Sequence, residues 1–302
     1  MKSLLISIAI VFVTGYSQAQ ISTKVDHLRC EYLVNPLGVD SPNPRLSWMM
    51  ADSGFGAKQL AYQVQVSTDS LELIHAQGNA WDSGKVESGA MLIRYCGDPL
   101  KPFTRYFWSV SVWNQKNERI NSEVASFETG MMRMSNWQGA WISDDKDANE
   151  RAAPYFRKEF ETGKAIKSAR VYVAAAGLFE LYINGVKTGD HVLNPAYTRF
   201  DRRNLYVSFD VTKQLQNGKN AIGVLLGNGW YNHQSTAVWD FHKAPWRNRP
   251  AFCLDLRIAY DDGTCETITS GKDWKTSLGS VVFNSIYTAE HHDARLEQSG
   301  WN

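Results

Sequence analysis

The chain of 302 residues is poor in several things that would classify it quickly. Its cysteines are Cys30, Cys96, Cys253 and Cys265, spaced too far apart for a dense disulfide framework and without a CxxC metal or redox pair. GxSxG, HExxH and glycine-rich phosphate loops are all missing, which removes the commonest hydrolase elbow, the zinc protease motif and nucleotide binding. Charge of one sign is also lacking. A net charge of +1 gives no electrostatic reason to bind nucleic acid or an anionic membrane. Beyond the N-terminus no apolar run approaches the roughly 18 residues that a membrane helix needs, so the processed chain is expected to be soluble. There is no internal repeat, no low-complexity segment and little helical periodicity.

At the N-terminus, Lys2 precedes the apolar run Leu4–Val13, and Ser17 and Ala19 stand at the −3 and −1 positions of a cut before Gln20. These are the parts of a secretory signal peptide over residues 1–19, too short to span a bilayer, and they predict an exported protein, periplasmic or secreted. An exported chain can oxidise its cysteines. A hairpin closing at Asp261-Asp262-Gly263, however, sets Cys265 opposite about Ile258 rather than Cys253, so the thiols are expected as small buried or half-buried side chains.

The rest of the chain reads as strands. Arg45–Trp48, Tyr62–Val66 and Tyr106–Trp113 alternate apolar with polar residues, which places one face on a core and the other in water. Asp69–Gln77 is the one helical candidate among them. With Gly, Pro and Asn between the runs, residues 20–132 read as a small antiparallel sandwich. Residues 133–152 form a linker that ends in the polar stretch SDDKDANERA, whose acids lack the glycine and distant glutamate of an EF-hand and are expected to be solvated. Strand candidates resume at Phe156–Phe160, Ala169–Ala175, Leu178–Ile183, Leu205–Val211, Ala221–Leu226 and Phe252–Tyr260. Asn184-Gly185 is a strong two-residue hairpin signal, because both residues tolerate positive φ. Thr212–Gln216 is at most one helical turn, closed by Asn217-Gly218. Residues 153–288 therefore read as a second sandwich, of the jelly-roll kind, so the whole chain is all-β.

Candidate chemistry is sparse. Glu180, Asp190, Asp201, Asp210 and Asp255 are carboxylates of the second sandwich, but nothing pairs any two of them across a cleft as glycoside hydrolysis requires. His291-His292-Asp293 resembles a metal cluster only superficially. Neighbours on an extended chain point to opposite faces, and a surface loop is expected there. His233, His242 and Asp240 lack a third ligand that sequence can fix. The stretch from Asn228 to Arg249 carries Trp230, Tyr231, Trp239, Phe241 and Trp246 among amides and charges. Aromatic faces with neighbouring polar groups suit a sugar ring, and they equally suit packing that closes the end of a sandwich; a loop this long is often functional.

ELYINGVKTGDHVLNPAYTRFDRRNLYVSFDVTKQLQNGKNAIGVLLGNGWY resembles the N-terminal β-sandwich module of bacterial α-L-rhamnosidases. LRCEYLVNPLGVDSPNPRLSW, YQVQVS, WDSGKV and YFWSVSVW resemble the fibronectin type III-like or immunoglobulin-like domain that precedes it, and DARLEQSGW resembles the segment that follows. The resemblance implies an (α/α)6 catalytic barrel further along such chains, so no catalytic residue is carried over and residues 289–302 read as the start of a connection to it. Where the family has Gly-Glu-x-Tyr-Asp-Ala-Arg, this chain has Ala289, Glu290, His291, His292, Asp293, Ala294 and Arg295. The expected function is the non-catalytic N-terminal part of a secreted α-L-rhamnosidase acting on rhamnose-containing glycans or glycosides. The alternative is a free-standing secreted carbohydrate-binding protein. Related modules that bind rhamnose through calcium lead to Asn184, Asp190, Asn228, Trp230, Asn232 and Trp239 as carbohydrate-binding candidates, with loops meeting at one end of the sandwich; no motif supports calcium itself.

Overall fold

The computed structural model describes residues 23–75, 78–236 and 238–302; the expected signal peptide lies outside the described residues. Contacts divide the chain into two compact units. Among the described residues, the first comprises those up to Asn35, with Asn43–Asp98 and Tyr106–Ser126. The second gathers Pro36–Pro42, Pro99–Arg105 and Phe127–Asn302.

In the first unit, β1 (Lys24–Cys30), β2 (Arg45–Ala51) and β5 (Leu92–Arg94) form one sheet, in the order β1-β2-β5. The other runs β4-β3-β6-β7, built from β3 (Gln59–Ser67), β4 (Trp81–Asp82), β6 (Arg105–Asn114) and β7 (Arg119–Asn121). Alternation works as the sequence predicts. Val64 and Val66 stand opposite Val110 and Trp108, and all four are buried. The Trp48 indole N–H donates to Gln59 Oε1 at 2.9 Å, so its polar edge is met inside the core. The helix α1 (Ser70–Ile74) is shorter than its pattern suggested; Asp69 caps it by accepting from the Leu71 N–H at 2.8 Å. β8 (Ala125–Glu128) carries the chain onward into the second unit.

The second unit is a sandwich of two antiparallel sheets. One, in the order β13-β10-β15-β16, contains β10 (Ile166–Ala176), β13 (Tyr206–Asp210), β15 (Ala251–Tyr260) and β16 (Cys265–Thr269). The other, β12-β11-β14-β9-β17, contains β9 (Pro154–Thr162), β11 (Leu178–Ile183), β12 (Val186–Lys187), β14 (Gly218–Gly227) and β17 (Lys275–Leu278). A hairpin of β18 (Val281–Ser285) and β19 (Ala289–His292) follows. Register places apolar residues opposite one another: Val171 faces Leu256 and Val173 faces Leu254 in one sheet, while Leu181 faces Val224 and Ile183 faces Ile222 in the other. All eight belong to one buried core. Truncating one such leucine or isoleucine to alanine costs about 2–5 kcal/mol.

The β10–β15 ladder is buried on its outer face too. On that face Tyr172 stands opposite Asp255 and Ala174 opposite Cys253; residues 138 and 139 meet Asp255 and Cys253, and the rings of Phe103 and Tyr206 pack on Tyr172. There Gln138 and Gly139 donate their N–H groups to the Asp255 carboxylate at 2.9 and 2.7 Å, and Ile142 pairs with Phe252. Gly139 is required by this close approach, since a Cβ there would lie 2.5 Å from the Leu254 carbonyl oxygen.

Several expectations are corrected. Asp144 is not solvated: it forms a buried bidentate pair with Arg249, Nε and Nη2 each 2.8 Å from its carboxylate oxygens. Arg249 also holds the Glu150 and Ala152 carbonyls, so the polar stretch is tied to the sandwich. His291 and His292 lie on strand β19 rather than in a loop, because pairing with β18 satisfies their backbone. Cys265 stands opposite Ala259, one residue from the expected register, and is exposed, as is Cys96; Cys30 and Cys253 are buried, and none is bridged.

Candidate functional site

The loop from Asn228 to Arg249 leaves β14 and returns to β15 as a built structure. Its first turn needs Gly229, at φ +51°, where a Cβ would press within 3.0 Å of Leu178. Asn228, buried just before it, is held through every polar atom of its amide. Its Nδ2 donates to the Asn284 carbonyl at 3.2 Å, and its Oδ1 accepts from Asn232 Nδ2 at 3.0 Å. Its backbone N–H donates to Asn284 Oδ1 at 2.6 Å. Asn232 Nδ2 also donates to the Ala148 carbonyl, and Arg247 reaches both the His233 carbonyl and Asn149 Oδ1.

Around this amide ladder the aromatics cluster. Trp230 lies 4.9 Å from Phe241 and stacks on His233 at 5.7 Å, with Tyr287 edge-on to both. Tyr197 touches Trp230 and Phe241, and Phe200 touches Tyr231 and Trp246. The AYTRF and NGWY stretches, distant in sequence, thus form one mini-core. Burial lowers the His233 pKa, assisted by the nearby His242 and Arg247, so its imidazole is neutral at pH 7.

Beside the ladder is a cavity of about 160 Å³ bounded by Arg151, Asn228, Asn232, His233, Phe283 and Asn284. Two buried atoms here have no partner, Asn232 Oδ1 and Asn284 Nδ2. The second unit's other unpartnered buried side-chain atoms among the described residues, His242 Nδ1 and Trp246 Nε1, belong to the same loop. A larger groove, about 910 Å³, is lined in part by Asp40, Trp137, Arg202, Arg203 and Tyr206. Its central polar groups are already bonded, the Tyr206 hydroxyl donating to Asp40 and accepting from the Met131 N–H. Unmet hydrogen bonds distinguish the smaller cavity.

Of the six candidates, Asn228 and Asn232 line this cavity, and Trp230 stacks beside it. Trp239 is 83 % exposed on the loop's tip, where it and Asp240 both adopt positive φ. The expectation that the candidate loops share one end of the sandwich does not hold. Asn184 follows Ile183, which pairs with Ile222, whereas Asn228 follows Gly227, which pairs with Leu178. Asn184 bonds to Ala221, so at roughly 3.3 Å per residue the two lie about 23 Å apart along β14. The Asn184 side chain is spent on Gln214, Asn220 and Ala221, and Asp190 is exposed. Asn284, Phe283 and Arg151 carry no signal in sequence, because nothing in VVFNS or NERA marks them before the chain folds. Among the described residues no group of three or more His, Cys, Asp or Glu side chains is placed to hold a metal ion. Asp255, a carboxylate candidate, is fully buried on backbone donors.

In class, the chain is a tandem of two β-sandwich domains, the second a jelly roll with a buried amide cluster at one end. Residues 25–133 match the family model of the Rha78A-like, N-terminal immunoglobulin domain, and residues 164–302 that of the α-L-rhamnosidase N-terminal domain. An α-L-rhamnosidase of Formosa agariphila is 33 % identical over 99 % of this chain and 35 % of its own length. The solved α-L-rhamnosidase of Dictyoglumus thermophilum is 39 % identical, with a TM-score of 0.85 over 92 % of this chain and 32 % of that one. That of Streptomyces avermitilis, solved with L-rhamnose, shares the fold at a TM-score of 0.86 and 24 % identity, over 93 % of this chain and 43 % of its own. Each sandwich thus resembles one N-terminal domain of α-L-rhamnosidases, and the chain spans about a third of the length of the curated relatives it matches.

Proposed function

We propose that this chain is the non-catalytic N-terminal portion of an exported α-L-rhamnosidase, an enzyme releasing terminal rhamnose from glycans or glycosides. The observation that carries the reading is the order of the two matches, an immunoglobulin domain followed by the rhamnosidase N-terminal domain. Lys2, the apolar run Leu4–Val13 and the small residues Ser17 and Ala19 support export. No described helix is long and apolar enough to cross a membrane. The sandwiches act by packing against a catalytic domain and by offering the Asn228–Arg249 end to carbohydrate. Asn228, Asn232 and Trp230 are the members of the candidate set nearest that role, and Trp239 is exposed on the same loop; Asn184 and Asp190 do not line the cavity.

Immunoblotting of the source cells with antibody to this chain tests the reading. A band far above 34.1 kDa that co-purifies with release of rhamnose from an aryl α-L-rhamnoside is expected. A band near that mass, without activity, would instead favour a free-standing carbohydrate-binding protein.

A further inference from the structure

We propose that the groove of about 910 Å³ in the second unit binds an acidic oligosaccharide, its arginines holding the carboxylate of a hexuronate unit and its tryptophans carrying the rings. The carbohydrate class rests on the reading above; the place and the charge rest on the groove itself.

The stretch RFDRR forms one side. Arg199 takes the Asp201 carboxylate in a two-point pair at 2.8 and 3.1 Å, and Arg202 stands 4.0 Å from the same carboxylate. The backbone N–H groups of Arg202 and Arg203 both donate to the Arg199 carbonyl, at 2.9 and 3.0 Å, and the Thr198 hydroxyl donates to the Arg203 carbonyl. Buried Phe200 anchors this closed turn on Tyr231 and Trp246. Arg202 and Arg203, both exposed, thereby line the groove, and exposed Arg133 lines it from another segment. Among the described residues the guanidinium groups of Arg133 and Arg203 have no ion-pair or hydrogen-bond partner. Like charges gathered on one concave surface focus a positive potential, and an anion seated among them relieves their repulsion. Guanidinium is also the cation whose planar donor fork fits a carboxylate.

Other groups mark the anion as a sugar rather than a bare ion. Asp40 Oδ1 accepts from the Tyr206 hydroxyl at 2.8 Å and from the Met132 N–H at 2.7 Å, so the bonds at the groove's centre fix this carboxylate. Its Oδ2 has no hydrogen bond among the described residues, and Asp40 is exposed. A bare anion is repelled by that oxygen, whereas a uronate ring carries hydroxyls that donate to it. Trp137 stands perpendicular to Tyr206 at 5.5 Å, and Trp141, 45 % exposed, lines the same groove. Indole faces take the C–H faces of sugar rings. The volume lies toward the upper end of the roughly 300–1,000 Å³ typical of ligand clefts, which leaves room for more than one ring.

The test is calorimetric titration of the native-length protein with trigalacturonate and with its methyl ester, which keeps the skeleton and loses the charge. Saturable binding of the acid is expected, about tenfold or more tighter than the ester, and weakening as salt rises from about 50 to about 500 mM. Arg133→Gln combined with Arg203→Gln should weaken the acid about tenfold. Lys58→Gln combined with Lys116→Gln removes the same charge from exposed positions of the first unit and should change nothing. Trp141→Ala should weaken the acid as well, and it decides the matter if the arginine variant fails to fold. No saturable binding of the acid overturns the proposal. So does equal affinity for the ester, an equal loss in the lysine variant, or binding that the folded arginine and Trp141 variants retain. Equal affinity for inorganic sulfate or for hexaglutamate overturns the assigned sugar class. Release of rhamnose by the native product, with no binding of the acid, refutes this groove and leaves the accessory reading standing. Binding of the acid by a native product that releases no rhamnose does the reverse.

Discussion

The backbone N–H of Asn228 donates to Asn284 Oδ1 at 2.6 Å while the Asn228 side chain donates back to the Asn284 carbonyl at 3.2 Å. This reciprocal pair ties the exit of β14 to β18, and through Asn232 it reaches the Ala148 carbonyl. The aromatic loop therefore starts from a fixed platform. Asn228→Ala keeps the backbone bond but removes both side-chain bonds and leaves buried partners unmet, at about 2–4 kcal/mol in total. Urea unfolding followed by tryptophan fluorescence should show that loss. A change below about 0.5 kcal/mol would mean that the ladder is replaceable by water.

The pair Arg249–Asp144 makes a second anchor, with both side chains 3 % exposed. Removing one partner strands a buried charge, so Asp144→Asn or Arg249→Met should each cost about 3–5 kcal/mol. The double variant should cost less than the sum of the two single ones, because neither charge is then left alone. Additive losses in a double-mutant cycle would show that the two groups act separately.

Much of the architecture was legible because period-2 alternation and turn chemistry are local. Asn184-Gly185 and Asp261-Asp262-Gly263 close the hairpins that their residues demand, and strands β10, β11, β14 and β15 fall where Val, Leu and Ile recur. The cavity was only half legible. Asn228 and Asn232 stood in an unusual aromatic loop, but Asn284 lies in an ordinary strand, and its relevance exists only once β18 meets that loop. The Asp144 pairing was hidden for the same reason, since 105 residues of chain separate it from Arg249. A run of charges reads as solvated until a distant arginine is folded beside it.

Asp255 gives the sandwich a pH dependence of unusual sign. Burial is the largest influence on its carboxyl and raises the pKa above 3.8, outweighing the N–H groups of Gln138 and Gly139. Between 3.8 and that raised value the folded state holds a proton that the unfolded chain has released, so this group's contribution to stability falls as pH rises through the interval. Asp255→Asn cannot titrate and also loses one acceptor. The stability gap between wild type and Asp255→Asn should narrow as pH climbs from about 3.5 toward 7, when unfolding midpoints are compared at each pH. Other carboxylates cancel in that difference, and a gap that widened with pH would falsify the assignment.

The chelator test separates amide from metal recognition. The candidate cavity offers neutral amide oxygen and nitrogen rather than carboxylates, and hard cations such as calcium take several oxygen ligands. EDTA dialysis should therefore leave both the melting temperature and sugar binding unchanged. A loss of binding restored by calcium but not magnesium would relocate recognition to carboxylate-bearing loops such as that of Asp190.

Gly139 tests how tightly residues 137–142 are laid on β15. A methyl group there would meet the Leu254 carbonyl at 2.5 Å, Asp255 Oδ1 at 2.8 Å and Ser270 Oγ at 2.8 Å, with backbone the first obstacle. The segment would have to lift, stretching the N–H bonds to Asp255 and leaving that carboxylate less satisfied. Gly139→Ala should thus destabilise the sandwich by about 1–3 kcal/mol. Gly163 is the matched control, because a Cβ there has nothing within 4 Å and its φ is not positive. Gly163→Ala should be neutral or slightly stabilising, through the unfolded chain's lost freedom. Equal effects at the two sites would show that residues 137–142 are not held against β15 in solution, and Asp255 would then lose the partners that keep it buried.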